Sequence, residues 1–570
     1  MNADTDLALA ITTCMMLIGL THGNKNVILI IIKDLRADAV FKEIGGYPKI
    51  HTPHIDRLAS KSLVFRNAFA QQSSSDVSIS SILTGRRPQT FGIPTLRNDK
   101  GSENKQQKSN DKQDRAYHDT IHNHQTKLPD STIVTLPKFF KDNGYSVRTI
   151  GNFDTNLSEY DMNDNNEHNT DTNNTSPGDT LSASWLEVDS KINLPDDVTI
   201  NKTLHYIDYQ KQKENFFLSV VFEKPGLPYK CPKDFFNLYS NSSIHSTNSR
   251  DGPDESLKND AIPRYNIDHG NMPGILQYDD IRLNSAVSVR NGTLVLPIDV
   301  ATNLKRAYYA CVSYVDAMVG RILKRLESSG LIDDTIIALV GTRGIHLGEH
   351  GAWGGDTNFD VALHVPMILH IPRQTDAGKS IRALVELIDV FPTLVHSVKL
   401  GASVPSCITT ESLKKFCHEG TNLLILLNDA QQTVKDGSFS QVIQRSPITI
   451  PTNPNISGTH FHGSVVRIVG YSIRTLAYRY TEWLQYNEYS GAIEWNNVVG
   501  AELYDHKDND DELTNLAFLK SHKVIRQILS EEIREEWRDE SEFNLSITGY
   551  VFVLIGTCYL MQSCAAMLET

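Results

Sequence analysis

The clearest indication of the fold is the apolar segment Asn26-Val-Ile-Leu-Ile-Ile-Ile32, which is followed directly by Lys33-Asp34. An uncharged aliphatic run of this length, rich in β-branched residues, is typical of a strand buried on both faces of a parallel sheet. Three later runs have the same character and predict further strands of the same sheet: Tyr145–Ile150, Phe216–Phe222 and Thr335–Val340.

Amphipathic helical patterns separate these strands. They cover His54–Ser62, Leu136–Asn143 and Ala301–Ser329, and the last two are closed by Gly144 and Gly330. Strands that alternate with helices predict βαβ units. The expected fold is therefore α/β, with a large, doubly wound, mostly parallel sheet.

The texture of the sequence changes from about residue 439. The strand patterns that follow predict a smaller C-terminal antiparallel-sheet subdomain, with strands at Val465–Val469, Tyr471–Tyr480 and Ile493–Leu503. Lys520–Asp539 predicts a charged helix after them.

Both chain ends are apolar. Leu7–Leu20 has the length of a signal-peptide core, and 547–568 contains no charged residue and is long enough to span a bilayer. A buried helix is the alternative at each end. The predicted organisation is a signal peptide at 1–23, an α/β domain at 24–438 with disordered insertions at 98–127 and 156–174, a subdomain at 439–520, a charged helix or stalk at 521–546, and a transmembrane or lipid-anchor signal segment at 547–568.

Composition excludes some classes of protein. The 570 residues are 40% hydrophobic, enough for a sizeable core, and the net charge is −13. Because phosphate binding requires basic surface and no long run of Lys or Arg occurs, no nucleic-acid partner is expected.

Cysteines and sequons agree with export. Cys407 and Cys417, ten residues apart, would form a compact disulfide in an oxidising compartment. The expected location is the secretory pathway, either membrane-anchored at the cell surface or lysosomal or extracellular. Sequons agree with a glycoprotein of that pathway, although an Asn- and Ser-rich chain generates several by chance, and they occur at Asn156, Asn173, Asn174, Asn201, Asn241, Asn291, Asn455 and Asn544.

Ligands of open α/β sheets bind beyond the carboxyl ends of the strands, which identifies the residues to inspect. These residues follow the four predicted strands and are Lys33, Asp34, Asn152, Glu223, Lys224, Gly226, Thr342 and Arg343. A hydroxyl-rich segment, Gln71–Pro88, completes the rim and suits a helix N-terminus that attracts anions.

The segment Leu83-Thr-Gly-Arg-Arg-Pro88, preceded by Phe69-Ala-Gln-Gln72, resembles the signature region of the type I sulfatases, a branch of the alkaline-phosphatase superfamily, and within it most closely the iduronate-2-sulfatases. Further similar blocks run from about residue 24 to 520 and include Pro53–Ala59, Leu347–Gly351, Asn358–Pro366, Gly470–Thr475 and Ala501–Tyr504. The resemblance implies the alkaline-phosphatase-like sulfatase fold, and it also marks Cys407–Cys417 as a family disulfide.

The resemblance also implies a reaction. Sulfatases hydrolyse sulfate esters with a formylglycine made from the first residue of a Cys/Ser-x-Pro-x-Arg signature, whose hydrated form attacks sulfur beside a divalent cation, usually Ca²⁺. Here Ser75 stands at the modified position, Val77 replaces the proline and Ile79 replaces the arginine. An unmodified serine is therefore expected.

The expected metal ligands are also altered. Lys33-Asp34 stands where the resemblance implies two aspartates, and Thr342-Arg343 where it implies Asp-His. Asp34 would be a vestigial ligand, because a hard cation needs several oxygen ligands. No cofactor is expected, or Ca²⁺ if the family activity is retained.

Sulfate-binding positions differ as well. Asn152 stands at an expected lysine, Gly226 at an expected histidine and Gly355 at an expected lysine. Five residues remain as candidates for an altered pocket: Lys33, Asn152, Lys224, Arg343 and His364.

Three functions fit these observations. The first is a pseudoenzyme that binds a sulfated or acidic glycan, with Lys33 and Arg343 in place of the cation, or with an ion pair from Asp34 to one of them. The second is an active sulfuric ester hydrolase acting on iduronate 2-sulfate of glycosaminoglycans, with Ser75 as nucleophile and His346, His350 or His364 as base. The third is a structural or adhesion ectodomain without a pocket ligand.

Overall fold

A computed structural model describes residues 25–537 apart from 42–49, 92–132, 154–182, 211–214, 242–243, 245–274, 276–277, 291–292, 402–403, 408–415, 445–466, 487–492 and 508–510. The predicted signal peptide, the anchor segment 547–568 and both predicted insertions lie outside the described residues. Among the helices that are described, none combines the length and apolarity needed to cross a membrane.

Seventeen strands are described, and their bounds are β1 Asn26–Ile32, β2 Leu63–Phe69, β3 Ser146–Ile150, β4 Trp185–Val188, β5 Phe216–Phe222, β6 Tyr229–Pro232, β7 Ser288–Arg290, β8 Thr293–Val295, β9 Thr335–Gly341, β10 His346–Leu347, β11 Trp353–Gly354, β12 His364–His370, β13 Lys379–Glu386, β14 Ser438–Gln444, β15 Arg467–Arg474, β16 Tyr478–Tyr486 and β17 Ile493–Asp505.

The described α-helices are α1 Ala37–Val40, α2 Pro53–Ala59, α3 Ser75–Thr84, α4 Leu136–Asp142, α5 Pro195–Gln210, α6 Lys233–Phe236, α7 Asp279–Arg282, α8 Ile298–Ser328, α9 Asp360–Leu363, α10 Val390–Ser397 and α11 Lys523–Trp537. Short 3₁₀ turns cover Pro88–Phe91, Ile332–Asp334, Glu349–Gly351, Leu387–Asp389, Leu423–Leu427 and Lys520–His522.

The large sheet has seven described strands in the order β13-β2-β12-β9-β1-β5-β3. Six run in the same direction, and β12 runs antiparallel to both of its neighbours. The prediction of a doubly wound, mostly parallel α/β sheet is confirmed. The four predicted strands are β1, β3, β5 and β9.

Strand β1 is an internal strand of this sheet, between β9 and β5, and is buried along its whole length. Ile28, Ile30 and Ile32 belong to the apolar cluster on one face, which the long helix α8 covers, whereas Val27, Leu29 and Ile31 belong to the cluster on the other face. Because both faces are covered, the strand reads as a continuous apolar run rather than as an alternating pattern.

A second sheet forms the C-terminal antiparallel unit, with the order β14-β15-β16-β17. The predicted break between Val469 and Tyr471 is wrong, because β15 continues through Gly470. A Cβ at Gly470 would lie 2.7 Å from Cζ3 of Trp483 on β16, so this glycine is needed for packing inside the sheet. The chain reverses after Arg474 instead.

Helix α11, within the predicted charged helix, packs against this second sheet. Its side chains Leu529, Ile533 and Trp537 are buried in an apolar cluster with residues of β15, β16 and β17. The helix is therefore part of the packed C-terminal unit up to residue 537.

Candidate functional site

Two neighbouring strands deliver the residues at the centre of the candidate site. Strands β1 and β9 are parallel, and Ile32 is paired with Gly341, so Lys33-Asp34 and Thr342-Arg343 leave the sheet side by side. Asp34 has a left-handed backbone with φ of 58°, which is uncommon for a residue with a Cβ. The Tyr308 hydroxyl donates to the Asp34 carbonyl oxygen at 2.9 Å and so helps to hold this conformation.

The Asp34 carboxylate organises the site. Its Oδ1 accepts from Arg343 Nε at 2.6 Å and from Ser75 Oγ at 3.0 Å. Ser75 Oγ also lies 2.8 Å from Thr342 Oγ1, which in turn accepts from the Asp34 backbone N–H at 3.3 Å. We call Asp34, Ser75, Thr342 and Arg343 the Asp34 cluster.

Electrostatics fix the protonation states in the Asp34 cluster. Burial alone would raise the pKa of Asp34, but the guanidinium of Arg343 and the hydroxyl of Ser75 outweigh it and lower that pKa. Burial opposes the charge of Arg343, yet Asp34 raises its pKa further above the ordinary value. The pair is therefore ionised at neutral pH, and Asp34 is a weak base toward the Ser75 hydroxyl.

Helix α3 begins at Ser75 and presents the next residue, Asp76, to the other cation. Lys33 Nζ lies 3.7 Å from Asp76 Oδ1, and the two side chains are 12% and 37% exposed. Of the two cations predicted for the pocket, Arg343 thus pairs with Asp34 and Lys33 with Asp76. The predicted Asp34 ion pair is made by Arg343.

Two glycines make room for this arrangement. A Cβ at Gly355 would lie 2.7 Å from Arg343 Nη1, and a Cβ at Gly226 would lie 3.2 Å from Asp34 Oδ2. Arg343 Nη1 also donates to the Ser73 carbonyl oxygen at 2.8 Å and to Asp356 Oδ1 at 3.2 Å. The guanidinium is therefore held on several sides.

The residues at this site do not fit a divalent cation. Asp34, Asp76 and Asp356 supply carboxylates, but each lies against Arg343 or Lys33. A guanidinium nitrogen 2.6 Å from Asp34 Oδ1 occupies a position that a metal ligated by the same oxygen would need. A cation added there would meet two fixed positive charges at close range.

The family model "Sulfatase" matches residues 25–399. The chain belongs to the sulfatase family. The iduronate 2-sulfatase of Homo sapiens is 29% identical over 548 residues, which cover 86% of this chain and 92% of that protein.

Solved structures agree with the sulfatase fold. The phosphonate monoester hydrolase of Agrobacterium radiobacter superposes with a TM-score of 0.59 at 17% identity, covering 90% of this chain and 96% of that one. A structure solved with its substrate D-glucosamine-2-N,6-O-disulfate superposes with a TM-score of 0.57 at 18% identity, covering 90% and 97%. The expected alkaline-phosphatase-like sulfatase fold is confirmed.

Two other pocket candidates, Lys224 and Asn152, form hydrogen bonds with residues of the loop that follows β5. Lys224 Nζ donates to the carbonyl oxygens of Gly226 at 2.9 Å and Pro228 at 2.8 Å, which closes the loop after β5. Asn152 Nδ2 donates to Glu223 Oε1 at 3.3 Å. Lys224 therefore supports the loop that carries Gly226, next to Asp34.

The histidines considered as bases lie in the framework of the fold. His364 Nε2 is 2.6 Å from the Arg66 carbonyl oxygen, and its ring stacks on Phe69 with centroids 5.0 Å apart. Burial lowers the pKa of His364, so the ring is neutral at neutral pH. His346 Nε2 contacts Thr357 Oγ1 at 2.8 Å.

His350 makes a similar framework contact, since its ring stacks on Phe359 with centroids 3.9 Å apart. The contacts described for the three histidines join strands and turns of the framework. None of these contacts brings an imidazole to Ser75.

A second polar cluster, not predicted from the sequence, connects helix α9 with the C-terminal sheet. Ligand atoms of Asp360, His506 and Glu512 lie within 4.8 Å of one another, a spacing that could hold a metal ion. Arg479 Nε, however, lies 2.8 Å from Asp360 Oδ1 and 3.0 Å from Glu512 Oε1, and Arg474 Nε is 3.1 Å from Asp360. These arginines already neutralise the carboxylates, so the cluster reads as a buried ion-pair network.

The Cys407–Cys417 disulfide is present and lies close to the signature segment. Arg86, in the Thr-Gly-Arg-Arg-Pro block, donates through Nε to the Cys417 carbonyl oxygen at 3.2 Å. Glu419, two residues further on, accepts from the Arg87 N–H at 2.7 Å. The disulfide-linked segment thus supports the end of helix α3, the helix that Ser75 begins.

Proposed function

We propose that this sulfatase-family protein binds sulfated glycans and does not hydrolyse their sulfate esters. The observation that carries the proposal is the ion pair between Arg343 and Asp34, with the Ser75 hydroxyl bonded to the same carboxylate oxygen. The chemistry of this group differs from that of a hydrolytic site in two independent ways, one in the nucleophile and one in the charge.

The nucleophile is the first difference. Ser75 lacks the proline and arginine expected of the modification signature, so we expect an unmodified hydroxyl, which cannot supply a gem-diol. A plain serine needs a strong neighbouring base. Asp34 is a poor one, because Arg343 lowers its pKa.

The charge is the second difference. Hydrolysis of a sulfate ester requires a positive charge close to the ester oxygens. The resemblance to sulfatases implies that a divalent cation supplies this charge in active members of the family. In this protein the positive groups at the site are Lys33 and Arg343, and both are paired with carboxylates. A sulfate must displace these carboxylates to reach a cation, so we expect weak and strongly salt-dependent binding.

The class of ligand follows from the relatives. One relative is an iduronate 2-sulfatase, and one structural neighbour was solved with a sulfated glucosamine. A sulfated glycosaminoglycan is therefore the first ligand to test. The apolar N-terminal segment, the sequons and the disulfide support passage through the secretory pathway, and the segment 547–568 supports a membrane or lipid anchor.

The first experiment tests for hydrolysis. Mass spectrometry of the peptide that contains Ser75 should find serine and no formylglycine, and release of sulfate from a 2-sulfated iduronate disaccharide with added Ca²⁺ should stay at background. Formylglycine together with turnover would overturn the proposal.

The second experiment tests for binding at the site. We expect the double variant Lys33→Ala/Arg343→Ala to elute from heparin at lower salt than the parent protein. The matched control is Arg57→Ala/Arg373→Ala, which removes the same charge from two exposed ion pairs, with Glu327 and Asp334. Equal elution of both double variants would reject the pocket and favour an ectodomain without a pocket ligand.

A hydrolase that uses Ser75 directly is the second candidate. The observation in its favour is the 3.0 Å hydrogen bond from Ser75 Oγ to Asp34 Oδ1, the geometry of a nucleophile with its base. Turnover that is lost in Ser75→Ala and unaffected by chelators would establish it.

A further inference from the structure

The charged side chains at and around the Asp34 cluster differ in their exposure to solvent. Asp76 and Asp356 are 37% and 52% exposed, whereas the cations with which they pair, Lys33 and Arg343, are 12% and 22% exposed. The side chain of Asp34 is 12% exposed. A molecule that approaches from solvent therefore meets the two outer carboxylates, Asp76 and Asp356, before it meets either cation.

These five side chains have a negative net charge. Two cations face three carboxylates, so their formal net charge is −1. Burial lowers the pKa of Arg343, but the carboxylates of Asp34, Asp356 and Asp76 together outweigh it and raise that pKa. A ligand that is only an anion adds charge of the sign already in excess, and it leaves the carboxylates that it displaces without a partner.

We propose that the ligand of this site is a sulfated amino sugar whose amino group is unsubstituted and protonated. The inference rests on the proposed function, because it specifies which sulfated glycans the site binds. The sulfate binds to Lys33 and Arg343, and the ammonium group binds to Asp76 and Asp356. Every charge of the site then keeps a partner of opposite sign, which a purely anionic sugar does not provide.

The contacts of Arg343 allow this exchange of partners. Its Nε donates to Asp34 Oδ1 at 2.6 Å, and its Nη1 is shared between the Ser73 carbonyl oxygen at 2.8 Å and Asp356 Oδ1 at 3.2 Å. When Asp356 turns to an ammonium group, Asp34 and Ser73 still hold the guanidinium in place. A guanidinium held in this way presents N–H groups to the oxygens of a sulfate.

The ion pair between Lys33 and Asp76 can also exchange partners. The distance of 3.7 Å between Lys33 Nζ and Asp76 Oδ1 is longer than a good hydrogen bond, and a partly exposed pair of this kind is weak. Asp76 is in the first turn of helix α3, whose backbone fixes its position, whereas the lysine side chain is long and flexible. Lys33 can therefore turn to a sulfate while Asp76 stays in place for the ammonium group.

Three monosaccharides test the proposal with the full chain: glucosamine 6-sulfate, N-acetylglucosamine 6-sulfate and glucosamine. Ligand-observed NMR at pH 6, where the free amino group is protonated, gives the Kd of each sugar. We expect glucosamine 6-sulfate to bind about three to five times more tightly than its N-acetylated form, which is the effect of one partly exposed ion pair. It should also bind more tightly than glucosamine, which has no sulfate.

Two double variants test which carboxylates recognise the ammonium group. Asp76→Asn/Asp356→Asn should bind the two sulfated sugars with equal Kd values, because it has lost both outer carboxylates. The matched control is Asp142→Asn/Asp334→Asn, which removes the same charge from two exposed ion pairs elsewhere on the surface. The control should keep the preference for the free amino group.

Equal Kd values for the two sulfated sugars in the parent protein, or no binding of either, would overturn the proposal. A preference that persists in Asp76→Asn/Asp356→Asn would overturn it as well. The proposed function fails by different results: release of sulfate from these sugars would contradict it and leave the preference intact. Conversely, equal Kd values together with weaker heparin retention by Lys33→Ala/Arg343→Ala would leave the proposed function standing without this inference.

Discussion

At the scale of single residues, Arg343 occupies the space that a side chain at position 355 would need. A Cβ on Gly355 would lie 2.7 Å from Arg343 Nη1, so one of the two would have to move. The absence of a side chain at position 355 therefore leaves room for the Arg343 guanidinium, which neutralises Asp34.

Gly355→Ala should destabilise the protein by about 1–3 kcal/mol, because the added methyl group overpacks the space beside the guanidinium. In the Arg343→Ala background the same substitution should cost much less, since the clashing group is gone. Urea unfolding of the four proteins in a double-mutant cycle measures this coupling. Equal costs in both backgrounds would contradict the interpretation.

Removing the two cations should uncover the carboxylates for a metal. In Lys33→Ala/Arg343→Ala we expect Ca²⁺ to raise the melting temperature, by the equivalent of about 2.7 kcal/mol when Ca²⁺ is at 100 times its Kd. The parent protein and the Arg57→Ala/Arg373→Ala control should show no shift. A Ca²⁺ shift in the parent would mean that Arg343 does not block the site.

At the scale of elements, the long helix α8 anchors a shorter helix. Asp316 on α8 accepts from the backbone N–H groups of His54 at 3.1 Å and Ile55 at 2.8 Å, at the start of α2. The N-terminus of a helix has N–H groups without partners inside the helix, and a carboxylate satisfies them well. The cap comes from a residue more than two hundred positions away in the sequence.

Asp316→Ala should cost about 1–3 kcal/mol of unfolding free energy, because it removes the acceptor of two N–H groups of α2, of which the Ile55 N–H is buried. Asp316→Asn keeps an acceptor oxygen and should cost less. Thermal unfolding followed by circular dichroism compares the two variants. A larger loss in the Asn variant would show that the cap is not the reason for the effect.

Elements with two buried faces could be predicted from the sequence, and elements with one buried face less well. The predicted bounds of strands β1 and β5 agree with the structure, because every residue in them after Asn26 is apolar or small. The prediction of a break in strand β15 at Gly470 is wrong. The local sequence does not distinguish a glycine that packs against Trp483 from a glycine in a turn.

At the scale of the whole molecule, a buried ion network joins the large sheet to the C-terminal unit. Glu386 at the end of β13 is bonded to Arg87 at 2.8 Å and to Lys435 at 2.5 Å, and it accepts from the N–H of Phe439 in β14. Glu536 of α11 forms a further ion pair with Arg87. The network thus connects the segment that contains Arg87, the edge strand β13 and helix α11.

Glu386→Gln should lower the unfolding free energy at pH 7 by about 3–5 kcal/mol, because Arg87 and Lys435 lose a buried counter-charge. Burial alone would raise the pKa of Glu386, but Arg87 and Lys435 outweigh it and hold it at about 2. The stabilisation is therefore complete above the ordinary pKa of 4.5 and declines as the pH falls toward 2.

Urea unfolding from pH 7 to pH 3 should accordingly show the parent and Glu386→Gln converging as the pH falls. The control is Glu327→Gln, which changes an exposed pair with Arg57 and should stay within about 0.5 kcal/mol of the parent at every pH. A gap that is constant with pH would assign the loss to packing.

The candidate site could be predicted as a set of residues but not as a set of pairs. The rule for strand ends found Lys33, Asp34, Thr342 and Arg343, because strand order alone brings them together. Which carboxylate each cation takes depends on side-chain directions and on the empty space over Gly355. Neither the side-chain directions nor the space over Gly355 can be deduced from the local sequence.

The packing of Arg343 between Asp34 and Gly355 restricts which substitutions this site can accept. Arg343 now depends on Asp34, and the guanidinium depends on the absence of a side chain at 355. A single substitution at position 343 would leave the Asp34 carboxylate without its main counter-charge, and a single substitution at position 355 would create a clash, so we expect the two positions to accept new side chains only in matched pairs.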